Sequence, residues 1–132
     1  MLKDEQIAHL NVMNWLRQVH PEAEENSYHF ANERKCSIQQ GRLLKRMGVK
    51  RGVADVFIGV PKQGKSGLWV EIKVEGNYPT KEQKEFLARQ VKNGFAAACC
   101  WDLDACIRVI GNYLSDDIIT NYFDQVIYQK SG

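Results

Sequence analysis

Two apolar runs separated by a glycine-rich turn occupy residues 55–74, which read DVFIGVPKQGKSGLWVEIKV. The β-branched and aromatic residues of both runs favour strands, and the residues between them favour a turn. Residues two apart on a strand point to the same face, so Glu71 and Lys73 share one face while Ile72 points to the other. The stretch therefore predicts an antiparallel hairpin with charge on one face of its second strand.

The same hairpin brings Asp55 toward that charged face. Directly opposite residues of an antiparallel pair share a face, and a turn centred near Gly64 places Asp55 across from Glu71 or Lys73. A slip by one residue would send Asp55 to the opposite face. We therefore predict that Asp55, Glu71 and Lys73 converge, with Ile72 in the core.

Two carboxylates at one spot raise each other's pKa unless a cation joins them. A few hard oxygen ligands with open positions suit Mg²⁺ or Mn²⁺, which lower the pKa of a bound water and stabilise charge on a phosphate oxygen. Lys73 would orient the water or neutralise the phosphorus centre. Taken alone, however, Glu71 and Lys73 are more simply explained as a salt bridge on a sheet edge.

The bulk composition is that of one ordinary globular domain. The chain has 132 residues, of which 44% are hydrophobic and 26% charged, and we expect one domain over residues 1–132. Its apolar runs are far shorter than the roughly 20 residues that cross a bilayer, and its first residues lack the order of a signal peptide. These features predict a cytoplasmic protein with no membrane partner.

The formal net charge of +2 hides an uneven distribution, because residues 34–92 hold 14 lysines and arginines against 5 acids. Residues 34–51 contain cations and no acid, which suits a polyanionic partner such as DNA. The alternative is a solvated helix face. The seven cations are Arg34, Lys35, Arg42, Lys45, Arg46, Lys50 and Arg51.

The four cysteines, Cys36, Cys99, Cys100 and Cys106, have no CxxC spacing and no partnering histidines that would suggest zinc. We expect reduced thiols that serve in packing.

The order of the predicted elements indicates an α/β fold. Thr80 and Gln83 form a capping-box pattern at a helix start, and the strand–helix–strand order after the hairpin implies a parallel, right-handed crossover. We therefore expect a mixed central sheet flanked by helices. The predicted helices cover residues 4–19, 38–47, 81–93, 102–110 and 115–126, and the predicted strands cover residues 27–30, 55–60, 68–74 and 95–101.

The last predicted helix carries Ile118, Ile119, Tyr122 and Phe123. These side chains would pack in the core or, less simply, form an interface with a second copy of the chain.

Several spaced motifs between about residue 5 and residue 114 occur in one order. They are Glu5 ahead of an amphipathic helix with Trp15, residues 29–34 (HFANER), 48–55 (GVKRGVAD), 67–73 (GLWVEIK), Gln83, and Gly94-Phe95. Together they resemble the PD-(D/E)xK nuclease superfamily, and within it the VRR-NUC family. The resemblance implies a restriction-endonuclease-like core.

The resemblance also implies roles for individual residues. Asp55, Glu71 and the main-chain carbonyl of Ile72 would bind metal, and Lys73 would be the catalytic lysine. Glu5 and Gln83 match further residues of the family's active site. As alternatives, Glu5 is favoured at a helix start by the helix dipole, and Gln83 also completes a capping box.

Two further positions bear on the match. Asn32 and Glu33 match a family motif of less certain role. Ala54 stands where the family usually has a proline, and we expect only a local backbone effect from that departure.

Small single-domain members of this family resemble Holliday junction resolvases that act as homodimers. The resemblance thus implies a Mg²⁺- or Mn²⁺-dependent, structure-selective DNA endonuclease in the cytoplasm of a bacterium or a phage-infected host. One alternative is a flap or nonspecific duplex nuclease with the same chemistry. The other is a DNA-binding module without catalysis.

Overall fold

The computed structural model describes residues 1–30 and 36–131. Helices and strands alternate along most of the chain. In order they are α1 (Asp4–Val19), α2 (Pro21–Glu24), β1 (Ser27–His29), α3 (Ile38–Arg46), β2 (Val56–Ile58), β3 (Leu68–Lys73), α4 (Lys81–Lys92), β4 (Ala96–Trp101), α5 (Asp102–Leu114) and β5 (Ile127–Gln129).

The five strands form one mixed sheet in the order β1-β2-β3-β4-β5. The pairs β1–β2 and β2–β3 are antiparallel, whereas β3–β4 and β4–β5 are parallel. The predicted mixed sheet and the parallel pairing of the strands on either side of α4 are confirmed. Strand β5 was not predicted.

Helices cover both faces of the central strands. Val70 and Ile72 of β3 belong to the larger core, which includes residues of α1 and α5. On the opposite face, the Trp69 ring packs against Phe86 of α4 at a centroid distance of 4.9 Å. Because β3 is covered on both sides, its two charged residues are buried as well: Glu71 is 3% exposed and Lys73 9%.

The hairpin of β2 and β3 has one of the two predicted registers, and its turn lies near Gly64 as expected. Val56 pairs with Val70 and Ile58 with Leu68, so the next residue along, Asp55, lies across from Glu71. Gln63 and Gly64 both have positive φ, 57° and 70°, and the Lys65 N–H donates to the Lys62 carbonyl at 2.8 Å. These angles define a type I′ turn, which matches the twist of a tight hairpin.

The predicted helix over residues 115–126 is wrong, because this segment forms turns. Instead, the side chain of Gln63 forms hydrogen bonds with backbone groups in and next to this segment. Its Nε2 donates to the carbonyls of Asn112, Ser115 and Asp117, and its Oε1 accepts from the Ile119 N–H at 2.8 Å. A backbone carbonyl that accepts a hydrogen bond from a distant side chain does not need a backbone N–H donor within a helix. The segment can therefore satisfy these groups without forming a helix.

The apolar residues of that segment divide accordingly. Phe123 is 2% exposed and lies in the core, whereas Ile118 is 79% exposed. The expected interface face therefore does not exist as one helix surface.

Other boundaries also differ from the predictions. Helix α5 continues to Leu114 rather than Ile110, and α2 forms in a stretch expected to be a loop. In the first turn of α5, the Asp102 Oδ1 accepts from the Ala105 N–H at 3.0 Å.

The four cysteines are free thiols, and Cys99, Cys100 and Cys106 are buried as expected for packing residues. Cys36 differs, because it is exposed. Burial raises the pKa of the Cys99 thiol to about 12. Within the described residues, no helix has the length and apolar character to cross a membrane.

Candidate active site

The start of β2 and the end of β3 bring two carboxylates together. Asp55 immediately precedes β2 and is partly buried, and its Oδ2 accepts a hydrogen bond from the Ile72 main-chain N–H at 2.8 Å. Glu71 lies across the pair on the same sheet face. The predicted convergence of Asp55 and Glu71 is therefore present, and the Ile72 side chain is in the core at 3% exposure.

Glu71 is a buried carboxyl group whose negative charge is only partly balanced by nearby cations and hydrogen-bond donors. Its Oε1 lies 3.7 Å from the Lys73 Nζ, while its Oε2 is buried without a hydrogen-bond partner among the described residues. Burial, followed by the nearby Asp55 charge, raises the pKa of Glu71 to about 9, and Lys73 only partly opposes the shift. Lys73 alone thus supplies too little positive charge to balance two ionised carboxylates.

Gln83 completes the predicted capping box and also contacts Glu71. Its Oε1 accepts from the Thr80 N–H at 2.8 Å, and the Thr80 hydroxyl accepts from the Gln83 N–H at 3.2 Å, which completes the capping box of α4. Its Nε2 donates to Glu71 Oε1 at 3.2 Å. One amide therefore caps the helix and contacts the buried carboxylate, since its oxygen and nitrogen serve different partners.

Helix α1 adds a third acidic residue beside the pair. Glu5 is partly buried in the first turn, and its Oε1 accepts from the Asn77 Nδ2 at 3.0 Å. Its charge also contributes to the raised pKa of Glu71. Sequence reasoning missed Asn77, whose role depends on the loop after β3 meeting the start of α1.

Two histidines near Asp55 were also missed. The His9 and His29 rings lie 4.2 Å apart in a T-shaped arrangement, and His29 Nδ1 is 2.9 Å from the main-chain oxygen of Asp55. Burial and then His29 lower the pKa of His9, against the effect of Asp55. The four-residue spacing from Glu5 to His9 was the available signal, because such residues share a helix face.

The basic residues that were predicted to contact DNA are exposed where the structure describes them. Arg42, Lys45 and Arg46 lie on α3, and Lys50 and Arg51 lie in the loop that leads to Asp55. These five form no salt bridge with another described residue. Arg34 and Lys35 fall outside the described residues, as do Asn32 and Glu33.

The basic loop is held against the candidate site by a close backbone contact. Gly52 has φ +82°, and a Cβ added to it would lie 2.6 Å from the main-chain carbon of Glu82 and 2.9 Å from the Gln83 nitrogen. The loop thus packs on the first turn of α4, next to the residue that contacts Glu71.

The donor set favours a hard cation with few protein ligands. No group of three or more His, Cys, Asp and Glu side chains in the described part of the chain is arranged to hold a metal by itself. Two carboxylates, one of them with a buried free oxygen, fit a cation that keeps water and phosphate ligands.

No family model matches the sequence, and no curated protein matches it significantly. The chain is similar to a solved structure described as "VRR_NUC domain protein", with a TM-score of 0.73 and 30% sequence identity. The match covers 83% of this chain and 87% of the other. The shared architecture is the mixed sheet with flanking helices expected of a PD-(D/E)xK-like core. The chain therefore belongs to the VRR-NUC family of nuclease domains.

Proposed function

We propose that this protein is a metal-dependent, structure-selective DNA endonuclease whose reaction centre contains Asp55, Glu71 and Lys73. The observation that supports this most strongly is the pairing of the partly buried Asp55 with the buried Glu71, which has an oxygen without a described partner and a raised pKa. Such a pair is costly in a metal-free protein, since buried charge is tolerated only with compensation. A divalent cation would supply the compensation.

Asp55, Glu71 and the main-chain carbonyl of Ile72 would hold Mg²⁺ or Mn²⁺, because all three provide hard oxygen ligands. When bound, the cation would supply Lewis-acid stabilisation of the negative charge that develops on the phosphate.

The remaining side chains would position the reacting groups. Lys73 is almost completely buried, with its ammonium 3.7 Å from Glu71 Oε1, and would orient the attacking water or stabilise the phosphate charge. Gln83 would keep Glu71 in place through its 3.2 Å hydrogen bond. Glu5, held by Asn77, would complete the acidic side of the site.

DNA would approach along the five exposed cations of α3 and the loop after it. Lysines and arginines in this arrangement contact phosphates and supply affinity with little reading of sequence. We propose branched DNA, such as a four-way junction, as the preferred substrate and the cytoplasm of a bacterium or phage-infected cell as the place of action. The single domain proposed for residues 1–132 would carry all of these contacts.

A second copy of the chain would provide the second cut that a junction requires. Helix α3 supports this proposal, because it buries none of its residues and exposes Ile38 and Leu43 by 76% and 53%, while Met47 directly after it is 70% exposed. Large exposed apolar side chains on one helix are typical of an interaction surface. The homodimer would therefore form through α3 rather than through the C-terminal residues.

The test is a nicking assay on synthetic four-way junctions, flaps and plain duplex, with Mg²⁺ or Mn²⁺ and with EDTA. Asp55→Asn and Lys73→Met should each abolish cleavage, whereas Asp116→Asn, which removes only the exposed pair with Lys62, should not. Cleavage that persists in EDTA or in the Asp55 variant would overturn the mechanism. Light scattering of the purified protein measures the mass and decides between monomer and dimer.

The same assay separates the alternatives. Equal cleavage of flaps or plain duplex and of junctions would indicate a nuclease of the same chemistry without junction preference. Salt-sensitive DNA binding without cleavage under any metal would indicate a DNA-binding module. The intact set of Asp55, Glu71 and Lys73 favours the enzyme.

A further inference from the structure

An open groove lined by aromatic rings and lysines lies beside the carboxylate pair. We call it the aromatic groove and define it by Tyr78, Trp101, Tyr128, Lys84 and Lys130. Its volume is about 690 Å³, which is within the usual range for a small-ligand site. None of the roles proposed for the active site uses these side chains.

The sheet register places the aromatic groove on the same face as Glu71 and Lys73. Trp101 of β4 pairs with Lys73 of β3, and Cys99 pairs with Glu71 on one side and with Tyr128 of β5 on the other. Paired residues share a face, and neighbouring strands are about 4.8 Å apart. The groove therefore begins one strand away from Lys73 and ends two strands away from Glu71.

A hydrogen-bonded chain also connects the groove to the candidate active site. The Trp101 Nε1–H donates to the main-chain oxygen of Asn77 at 2.7 Å. The side chain of Asn77 in turn donates to Glu5. The loop that holds Glu5 is thus the loop that forms one wall of the aromatic groove.

The rings present open faces to a flat ligand. Tyr78 is 64% exposed and Tyr128 48%, while Trp101 is 7% exposed and forms the floor. The Lys130 Nζ lies 5.0 Å from the ring centroids of both Tyr78 and Trp101. The Tyr78 and Trp101 rings therefore already attract a cation, and the exposed parts of Tyr78 and Tyr128 are available to a stacking partner.

The positive charge of the groove favours an anionic ligand. Neither Lys84 nor Lys130 forms a salt bridge with a described carboxylate, and no carboxylate is among the described residues that line the groove. Aromatic faces next to uncompensated ammonium groups suit a planar ring attached to a phosphate. That combination is the chemistry of a nucleotide, and single-stranded nucleic acids bind proteins through such stacking platforms.

We infer that the aromatic groove binds the base of an unpaired nucleotide in the DNA strand that enters the active site, with Lys84 and Lys130 on the flanking phosphates. This inference rests on the proposed DNA substrate and states how that substrate is selected. In a plain duplex both faces of each base are covered by its neighbours, so the groove has nothing to stack on. Branched DNA in which a base at the branch point is unpaired would therefore be preferred to plain duplex.

The test measures DNA binding in EDTA, where cleavage does not occur, by fluorescence anisotropy. The probes are a labelled single strand of about twelve nucleotides and a blunt duplex of the same sequence. Tyr78→Ala and Tyr128→Ala should each weaken single-strand binding by about fivefold to a hundredfold, because each removes one stacking surface. Duplex affinity should change by less than about twofold.

Three controls isolate the stacking contact. Tyr78→Phe and Tyr128→Phe keep the rings and should bind like the unchanged protein. Tyr28→Ala removes a 56% exposed tyrosine at the opposite edge of the sheet and should have no effect. A single strand without bases should bind the unchanged protein and the alanine variants equally, since only the base contact differs between them.

The inference is overturned if the alanine variants bind single strands normally, lose duplex affinity equally, or are matched in their loss by the phenylalanine variants. It is also overturned if the alanine variants change the mass of the protein in solution, because the groove would then be covered by a second copy. Normal cleavage with unchanged single-strand binding in the variants would refute this inference alone. The expected binding losses without any cleavage would refute the nuclease alone.

Discussion

The cost of placing Glu71 inside β3 depends on whether a cation is present. In the metal-free protein its pKa of about 9 lies above its ordinary value of 4.5, chiefly because of burial. The folded state then binds more protons than the unfolded state between these two values. The free energy of unfolding must therefore fall as the pH rises through this window.

Replacement of Glu71 by Gln removes this pH dependence. In EDTA, the unfolding free energy of the unchanged protein should fall relative to that of Glu71→Gln between about pH 5 and pH 9, with a slope of at most about 1.4 kcal/mol per pH unit. Urea titrations at several pH values measure the difference. Glu75→Gln, in the exposed loop after β3, should leave the slope unchanged. Parallel curves for Glu71→Gln and the unchanged protein would show that the carboxyl ionises normally.

The role of Gln83 can be tested by substitution, because the chain contains a second glutamine in an equivalent capping position that serves as a control. Gln40 completes the same capping box with Ser37 at the start of α3 but contacts no carboxylate in the described structure. Gln40→Ala and Gln83→Ala should each cost about 1 kcal/mol of stability. Only Gln83→Ala should also slow cleavage, by about tenfold, because it alone frees Glu71. Equal activity of the two variants would show that Gln83 is only a cap.

At the scale of elements, the site depends on a loop packed against the first turn of a helix. Gly52 and Gly48 both have positive φ in the stretch between α3 and β2, but only Gly52 meets another described element. An added Cβ at Gly48 has nothing within 4 Å in the described structure, whereas at Gly52 it would meet the backbone of Glu82 at 2.6 Å. A comparison of alanine substitutions at the two glycines thus separates the cost of a left-handed backbone from the cost of steric overlap.

Gly52→Ala should destabilise the protein more than Gly48→Ala. Both changes carry the cost of a left-handed backbone, about 1–2 kcal/mol, and Gly52→Ala adds an overpacking cost of about 1–3 kcal/mol. It should also reduce cleavage, since the loop carries Asp55 and α4 carries Gln83. Thermal unfolding and the nicking assay measure both effects. Equal destabilisation by the two variants would show that the close approach at Gly52 adds no cost.

Element prediction succeeded where local chemistry decides. The capping box at Thr80 and Gln83 defines the start of α4, and it is a local pattern. The helix prediction for residues 115–126 failed because the side chain of Gln63, far away in the sequence, forms hydrogen bonds with backbone groups in and next to this segment. Helix periodicity cannot reveal such a partner.

At the scale of the whole molecule, the cations of α3 and its loop lie in the chain segment directly before Asp55, and five of them are exposed without an ion pair to a described residue. Lys62 and Lys65 at the hairpin tip differ, because they pair with Asp116 and Asp124. The basic surface that we propose to face DNA is therefore narrower than the charge distribution along the sequence indicates.

Neutralisation of Arg42, Lys45 and Arg46 together to Gln should lower DNA affinity and its salt dependence. The slope of log affinity against log salt concentration should fall by up to about 0.9 for each phosphate that the variant no longer neutralises. Binding in EDTA at several salt concentrations measures the slope. Arg17→Gln, which removes the ion pair of α1 with Glu24 of α2 and the hydrogen bond to Asn14, should leave the slope unchanged. An unchanged slope in the triple variant would place the DNA elsewhere.

The sequence by itself determined the hairpin and the shared face of Asp55, Glu71 and Lys73, because strand alternation and turn chemistry are local rules, but it left Asp55 opposite either Glu71 or Lys73. It also determined the capping box and the family, through motifs in a characteristic order. Only the tertiary structure decided that Glu71 and Lys73 are buried, that Gln83 reaches Glu71, and that His9, Asn77 and the aromatic groove lie beside them. These contacts join residues on different elements, and their distances follow from packing rather than from spacing along the chain.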